Sequence, residues 1–221
     1  MPYEIELDPE VPVSILRPTS YVVTIDDAKT LHVTVTSDVD HIQEWLNMAI
    51  NSYQGGHFVS IHAEPRPFKS KLVHKSFQPT IRTFFVAIGP RVLVIHLRHS
   101  YHMPWMSVDN ISRLNNGDFY FVGMDMTRIS WWLYKRGCSP KYHEDVRKLA
   151  ADQTLRVELR TAGLKKIVQA VTGLAMDPWL SRRLKGWSLD SLSPKLVMQG
   201  SIRAFMAFEV AQAWYVVLDS S

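Results

Sequence analysis

Between Ile81 and Leu97 the chain runs IRTFFVAIGPRVLVIHL, two almost unbroken apolar stretches separated by Gly89-Pro90. A strand with one face in water alternates apolar and polar residues, whereas a strand covered on both faces does not. The two stretches are too short for buried helices, and Gly-Pro between them marks a tight hairpin. FVSIHAE (58–64) and FYFVGMDM (119–126) have the same character. Strands of this kind require layers on both sides of a sheet, which excludes sandwiches and helical bundles and points to an α/β architecture.

The other segments supply the layers. SYVVTID and TLHVTVTS alternate around DDAK and read as a hairpin over Ser20–Ser37. Asp38 is a cap for DVDHIQEWLNMAI, which places Val39, Ile42, Trp45, Leu46 and Ile50 on one helical face. MSVDNISRL reads as a short helix, TRISWWLYKRG as a helix ended by Gly137, and TAGLKKIVQAVTG as one closed by Gly173. A long last helix starts at Ser193-Pro194. The expected fold is a mixed sheet with helices on both faces and an N-terminal β-hairpin extension. Residues 1–19, rich in Pro and acidic groups, are expected to be an irregular arm, and 20–221 a single domain.

At 221 residues, 46% hydrophobic, the chain can bury a substantial core. Its net charge of +4 permits contact with nucleic acid without arguing for it. The single cysteine, Cys138, has no cysteine to pair with, which suits a reducing compartment and reads as a turn residue. The N-terminal MPYEIELDPEVPV does not resemble a secretion signal, and no apolar run approaches membrane-spanning length. An intracellular protein, nuclear or cytoplasmic, is expected.

Several side chains are candidates for chemistry. His62 and Glu64 share one face at the end of a strand, because side chains alternate. His96, His99 and His102 lack the fourth ligand and the geometry of a zinc site and read as scattered histidines. In Trp131-Trp132 the two side chains point about 100° apart on a helix. One is expected in the core, and the other is either buried too or free to stack a base or seal a cleft. RPFKSKLVHK (66–75), with Arg66, Lys69 and Lys71, and RRLKGW (182–187), with Arg182 and Arg183, place cations among aromatics. That pattern suits a single-strand backbone track, although two solvated loops would look the same.

TVTSDVDHIQEWL, FVSIHAE, FYFVGMDMTRISWWL, EDVRKLA, AGLKKIVQAVTG and WSLDSLSPKLVMQGSIRAF follow one another in an order that resembles the Werner-syndrome type of 3′–5′ exonuclease domain, plant members above all. That family belongs to the DEDD superfamily with a ribonuclease H-like fold. The resemblance spans roughly Leu31 to Leu218. It implies four metal-binding carboxylates and a tyrosine, and this sequence departs from them. The first motif, Asp-x-Glu, is His62-Ala63-Glu64 here. The second, Val-Gly followed by a helical Asp four residues before a Leu, keeps Val122-Gly123 and Leu133 but has Ile129 at the Asp. The third, Tyr-Ala-x-x-Asp, is Gln199-Gly200-Ser201-Ile202-Arg203.

Active members of the family use two Mg²⁺ or Mn²⁺ ions, about 4 Å apart, held by carboxylates. With Arg203 at one ligand position, a fixed cation 4 Å from a dication repels it by about 8 kcal/mol at an effective dielectric of 20. Ile129 cannot ligate, and Gln199 is a poor acid or base. No cofactor is therefore expected. The expectation is an inactive relative in which Arg203 either folds onto Glu64 or leaves it solvated. Asp125 could supply a replacement carboxylate, but reads better as a strand-end or helix-cap group. The functional readings are an interaction or regulatory module, a non-cleaving binder of single-stranded 3′ ends that uses Arg203 together with the basic residues of 66–75, and, against the residues, an active exonuclease. Partners implied by the resemblance are a protein, a ring-like homo-oligomer, or a mixed assembly with an active relative, with nucleic acid as a further candidate and no membrane.

Overall fold

A computed structural model describes residues 3–9, 18–26, 29–53, 58–65, 81–97, 119–135, 138–182, 184–187 and 191–219. The strands are β1 (Tyr3–Leu7), β2 (Thr19–Ile25), β3 (Lys29–Thr36), β4 (Phe58–Pro65), β5 (Ile81–Ile88), β6 (Arg91–His96), β7 (Tyr120–Gly123) and β8 (Tyr142–Asp145). They form one sheet in the order β1-β2-β3-β6-β5-β4-β7-β8. The helices are α1 (Val39–Ser52), α2 (Met126–Tyr134), α3 (Val146–Thr154), α4 (Leu164–Thr172) and α5 (Pro194–Asp219).

The central strands are covered on both faces, as their composition demands. Phe85, Ala87, Val92 and Val94 pack into one core with α3, α4 and α5. Their neighbours Phe84, Val86, Ile88, Leu93 and Ile95 pack into a second core with α1 and α2. β4 is antiparallel to β5 and parallel to β7, and β7 is parallel to β8. A mixed five-strand centre, β6-β5-β4-β7-β8, with helices on both faces is the ribonuclease H-like arrangement.

The sequence signals for the ends of elements are realised where residues are described. Asp38 accepts from the Asp40 and His41 amides at the start of α1. Gly173 caps α4 in the left-handed region, at φ 72°. Gly89, at φ 57°, turns the β5–β6 hairpin and lies so close under the Tyr53 ring that a Cβ would fall 2.5 Å from it. No described helix is long and apolar enough to cross a membrane.

One expectation changes. The arm over residues 1–19 is not irregular throughout, because YEIEL forms β1 and pairs antiparallel with β2, Tyr3 opposite Ile25 and Leu7 opposite Tyr21. Its alternation turns Tyr3 and Ile5 toward the first core and Glu4 and Glu6 to solvent. The hairpin is the expected extension, joined to the main sheet by β3 running parallel to β6. Finally, β8 and α3 carry no expectation from sequence, although Asp145 ahead of VRKLAAD is an N-cap that accepts from the Arg147 amide. The helix expected over MSVDNISRL and the stop at Gly137 lie outside the described residues.

Candidate functional site

The site is built from the C-terminal end of β4 and the first turns of α5. Ser60, His62 and Glu64 lie on the β4 face toward α5, directly opposite Ala87, Phe85 and Thr83 of β5. Val59, Ile61 and Ala63, on the other face, belong to the core under α1 and α2. Glu64 is 5% exposed. Its Oε1 accepts from Arg203 Nη1 at 2.6 Å and lies 3.0 Å from His62 Nε2. The structure thus brings together His62, Glu64 and Arg203. Burial pulls the Arg203 guanidinium below its ordinary value, opposed by the charge and hydrogen bond of Glu64.

Arg203 does more than neutralise Glu64. Its Nε donates to the Leu180 carbonyl at 2.7 Å and its Nη2 to the Arg182 carbonyl at 3.1 Å. One turn earlier on α5, Gln199 Nε2 donates to the carbonyls of Trp179 and Arg182, both at 2.9 Å. The two residues tether the short 3₁₀ turn Pro178–Ser181, and the residue after it, to the last helix. Sequence reasoning missed this role, because main-chain carbonyls carry no residue-type signal.

Gly200 has a packing reason of its own. A Cβ there would fall 2.1 Å from the Phe85 ring, so the helix can approach β5 only with glycine at this position. Phe85 lies 5.8 Å from the His62 ring and edge-on to Trp187 at the same distance. Aromatic carbon therefore fills the space beside His62. Gly123, at the end of β7, is similarly required, since a Cβ would fall 2.3 Å from the Ile61 carbonyl oxygen.

Ile129 is 1% exposed and packs in the core under α1 and α2. Asp125 occupies the N-cap position of α2 in the left-handed region, at φ 60°, and its side chain makes no capping bond. It pairs with Arg147 and Arg128 instead. Asp145 caps α3 and accepts from the Met126 amide at 3.3 Å. Burial would raise the Asp145 carboxyl, but hydrogen bonds from the Arg147 side chain and amide hold it below the ordinary value.

The donor set at β4 and α5 does not fit a pair of Mg²⁺ ions. Mg²⁺ takes oxygen ligands. Among the named positions only Glu64 has an anionic oxygen, and it accepts from a guanidinium that cannot shed its proton. Among the described residues no three His, Cys, Asp or Glu side chains converge.

The other candidates fall as follows. His96 is 5% exposed, with Nδ1 2.9 Å from Thr83 Oγ1, as a satisfied core histidine. His99 and His102 lie outside the described residues, as do Arg66, Lys69, Lys71 and Arg183. Cys138 is buried and its thiol is pushed up to about 11 by that burial, which leaves it no nucleophilic character. Trp132 packs on Phe84 with ring centroids 4.6 Å apart. Trp131 is 40% exposed, with Lys135 Nζ 5.5 Å from its ring centroid. Arg182 is exposed.

No protein-family model and no curated protein matches the sequence. Solved structures do match the fold. Brucella melitensis NrnC is 14% identical over 77% of this chain and 78% of its own, with a TM-score of 0.57. Escherichia coli RNase D, an exoribonuclease involved in structured RNA processing, is 12% identical over 84% of this chain, with a TM-score of 0.63. Trypanosoma brucei RNase D in complex with RNA U12 is 17% identical over 82% of this chain, also at 0.63. This chain shares the ribonuclease H-like fold of these structures. It spans 45% of the E. coli RNase D chain and 62% of the T. brucei one. At these identities the likeness is one of fold, and the Werner-type affinity rests on the sequence phrases alone.

Proposed function

We propose that this protein is a degenerate 3′–5′ exonuclease-like chain of the Werner type, catalytically inactive, that acts as an interaction or regulatory module inside the cell. The observation that carries this reading is the buried Arg203–Glu64 pair. A guanidinium hydrogen-bonded to the remaining carboxylate competes with any dication for the same oxygen. Ile129 and Gln199 support it, one apolar and packed, the other with its amide on two carbonyls. Without hydrolysis, such a fold can still bind. Its partner would be a protein, a further copy of itself, or an active relative whose position it alters.

The test is a nuclease assay on labelled single-stranded and recessed substrates with Mg²⁺ or Mn²⁺, against Glu64→Ala as control. No degradation at high protein concentration is the expected result. Degradation that Glu64→Ala abolishes while its circular dichroism stays that of the folded wild type would overturn the reading and establish an active metal-dependent exonuclease.

Trp131 favours a second reading, a non-cleaving binder of single-stranded nucleic acid. It is the exposed member of its pair, with a lysine over it, which is the chemistry that stacks a base beside a phosphate. One structural neighbour is described as bound to RNA U12 and another as bound to pGG. Arg182 and the sequence-level candidates Arg66, Lys69, Lys71 and Arg183 would extend the track. Arg203, named with them from sequence, has its three donor nitrogens on Glu64 and two carbonyls, and contributes little to a phosphate. Binding of a labelled oligonucleotide should weaken with rising salt and with Trp131→Ala. Absence of binding at low salt ends this reading.

A further inference from the structure

A cavity of about 260 Å³ opens at the other end of the sheet, lined by Lys29, Tyr53, Pro90, Phe205, Phe208 and Glu209, among others. It sits by the Gly89-Pro90 turn, six residues along β5 from Thr83, which faces Glu64. At about 3.4 Å per residue that is about 20 Å away. It is a separate place from the His62, Glu64 and Arg203 cluster, and its chemistry is independent of any nuclease or strand-binding role there.

The floor is aromatic. Phe205 and Phe208 are buried, and Tyr53 meets Phe208 edge-on at 5.6 Å. Gly89, lacking a Cβ, leaves room for the Tyr53 ring against the turn. The mouth carries two opposite charges side by side. Lys29 pairs with Glu209 Oε2 and lies 5.5 Å from the Phe205 ring centroid. An ammonium has three donors, and this contact uses one. Among the described residues Glu209 Oε1 takes no hydrogen-bond donor, and Gln212 uses only its oxygen, which accepts from the Tyr53 hydroxyl at 3.3 Å. The rim thus offers N–H donors from Lys29 and Gln212 next to an open carboxylate oxygen, over an apolar floor.

Charge selects the guest. A simple anion suits Lys29 but meets Glu209, and a simple cation suits Glu209 but meets Lys29. A molecule with an ammonium and a carboxylate on one carbon satisfies both, and an apolar side chain covers the rings. Charged hydrogen bonds are the stronger ones, and both would form beside low-dielectric walls. We infer that this cavity binds a free α-amino acid with an apolar side chain, its carboxylate on Lys29 and Gln212 and its ammonium on Glu209.

The experiment uses the intact chain and ligand-detected NMR with L-leucine, L-methionine and L-phenylalanine. Each is compared with the amine that lacks the carboxylate and the acid that lacks the ammonium. Saturable binding of at least one amino acid is expected, with both truncated analogues weaker by about tenfold or more. Lys29→Met should erase the preference over the amine, and Glu209→Gln the preference over the acid. A variant that fails to fold leaves the wild-type comparison decisive. Equal binding of the truncated analogues would reduce the cavity to an apolar pocket and overturn the assignment. So would the absence of saturable binding at millimolar concentration.

Discussion

The two faces of β4 obey different rules. On one face Val59, Ile61 and Ala63 join an apolar core under α1 and α2. On the other, Ser60, His62 and Glu64 look toward α5, and the last two join Arg203 in a buried polar cluster. The apolar face is worth what it removes from water, and any well-packed side chain of the right size serves it. The polar face is worth what its members do for one another, so each is tied to its partner. A fold can therefore persist through the first face while the chemistry of the second is rewritten.

That contrast has measurable consequences, beginning with the largest. Glu64→Ala leaves a buried guanidinium without its carboxylate and should cost about 3–5 kcal/mol in urea unfolding. The double variant Glu64→Leu with Arg203→Met should recover most of that loss, because an apolar pair can replace a buried ion pair at little cost. Equal destabilisation in single and double variants would mean that the carbonyl tethers of Arg203, not its charge partner, dominate. On the opposite face, Ile61→Ala should cost about 2–5 kcal/mol, with no second substitution expected to restore it.

Next in size is Gln199→Leu. It strips a donor from two carbonyls and should cost about 1–3 kcal/mol. Proteolysis near residues 178–182 should rise with it, because the amide of Gln199 fastens that turn to α5. Asp145→Ala, which removes the α3 cap, should cost about 1 kcal/mol. The Asp145 carboxyl is held below its ordinary value of 3.8, so the unfolded chain takes up the proton first. Its contribution is complete at neutral pH and disappears as pH falls below that value and through the lower folded one. Unfolding curves of the variant should converge on those of the wild type in acid. Last, Trp131→Ala should change stability by less than about 0.5 kcal/mol, as an exposed residue. A larger loss would make Trp131 structural and remove the observation that favours strand binding.

Much of the architecture was readable in the chain because it is written locally. Unbroken apolar stretches mark β5 and β6, Gly89-Pro90 marks their turn, and Asp38 and Gly173 mark helix ends. β1 escaped notice because a five-residue edge strand among prolines and acids gains its identity only by pairing with β2. β8 and α3 escaped because Tyr142–Asp145 is a strand only by virtue of β7 beside it. At the site, Arg203 against Glu64 follows from charge once the two positions are placed together. The grip of Gln199 and Arg203 on residues 179–182 does not, because backbone oxygens look the same in every sequence. The seat of Phe85 over Gly200 needed the helix placed against the sheet before it could be seen.

The tethers on α5 also bear on which side chains positions 199 and 203 can accept. Arg203→Asp with Gln199→Tyr would install the aspartate and tyrosine that the Werner-type resemblance implies at these positions. A carboxylate has no proton to donate, and a phenol has one where the amide has two, so the Leu180 and Arg182 oxygens would lose side-chain donors and the Trp179 oxygen would keep only the Arg182 amide. An acid at position 203 would unfasten the turn that lies across the helix, before any ion arrived to compensate. The fastened turn and an acid at position 203 exclude one another, so the donors of α5 fix which chemistry this end of the helix can carry.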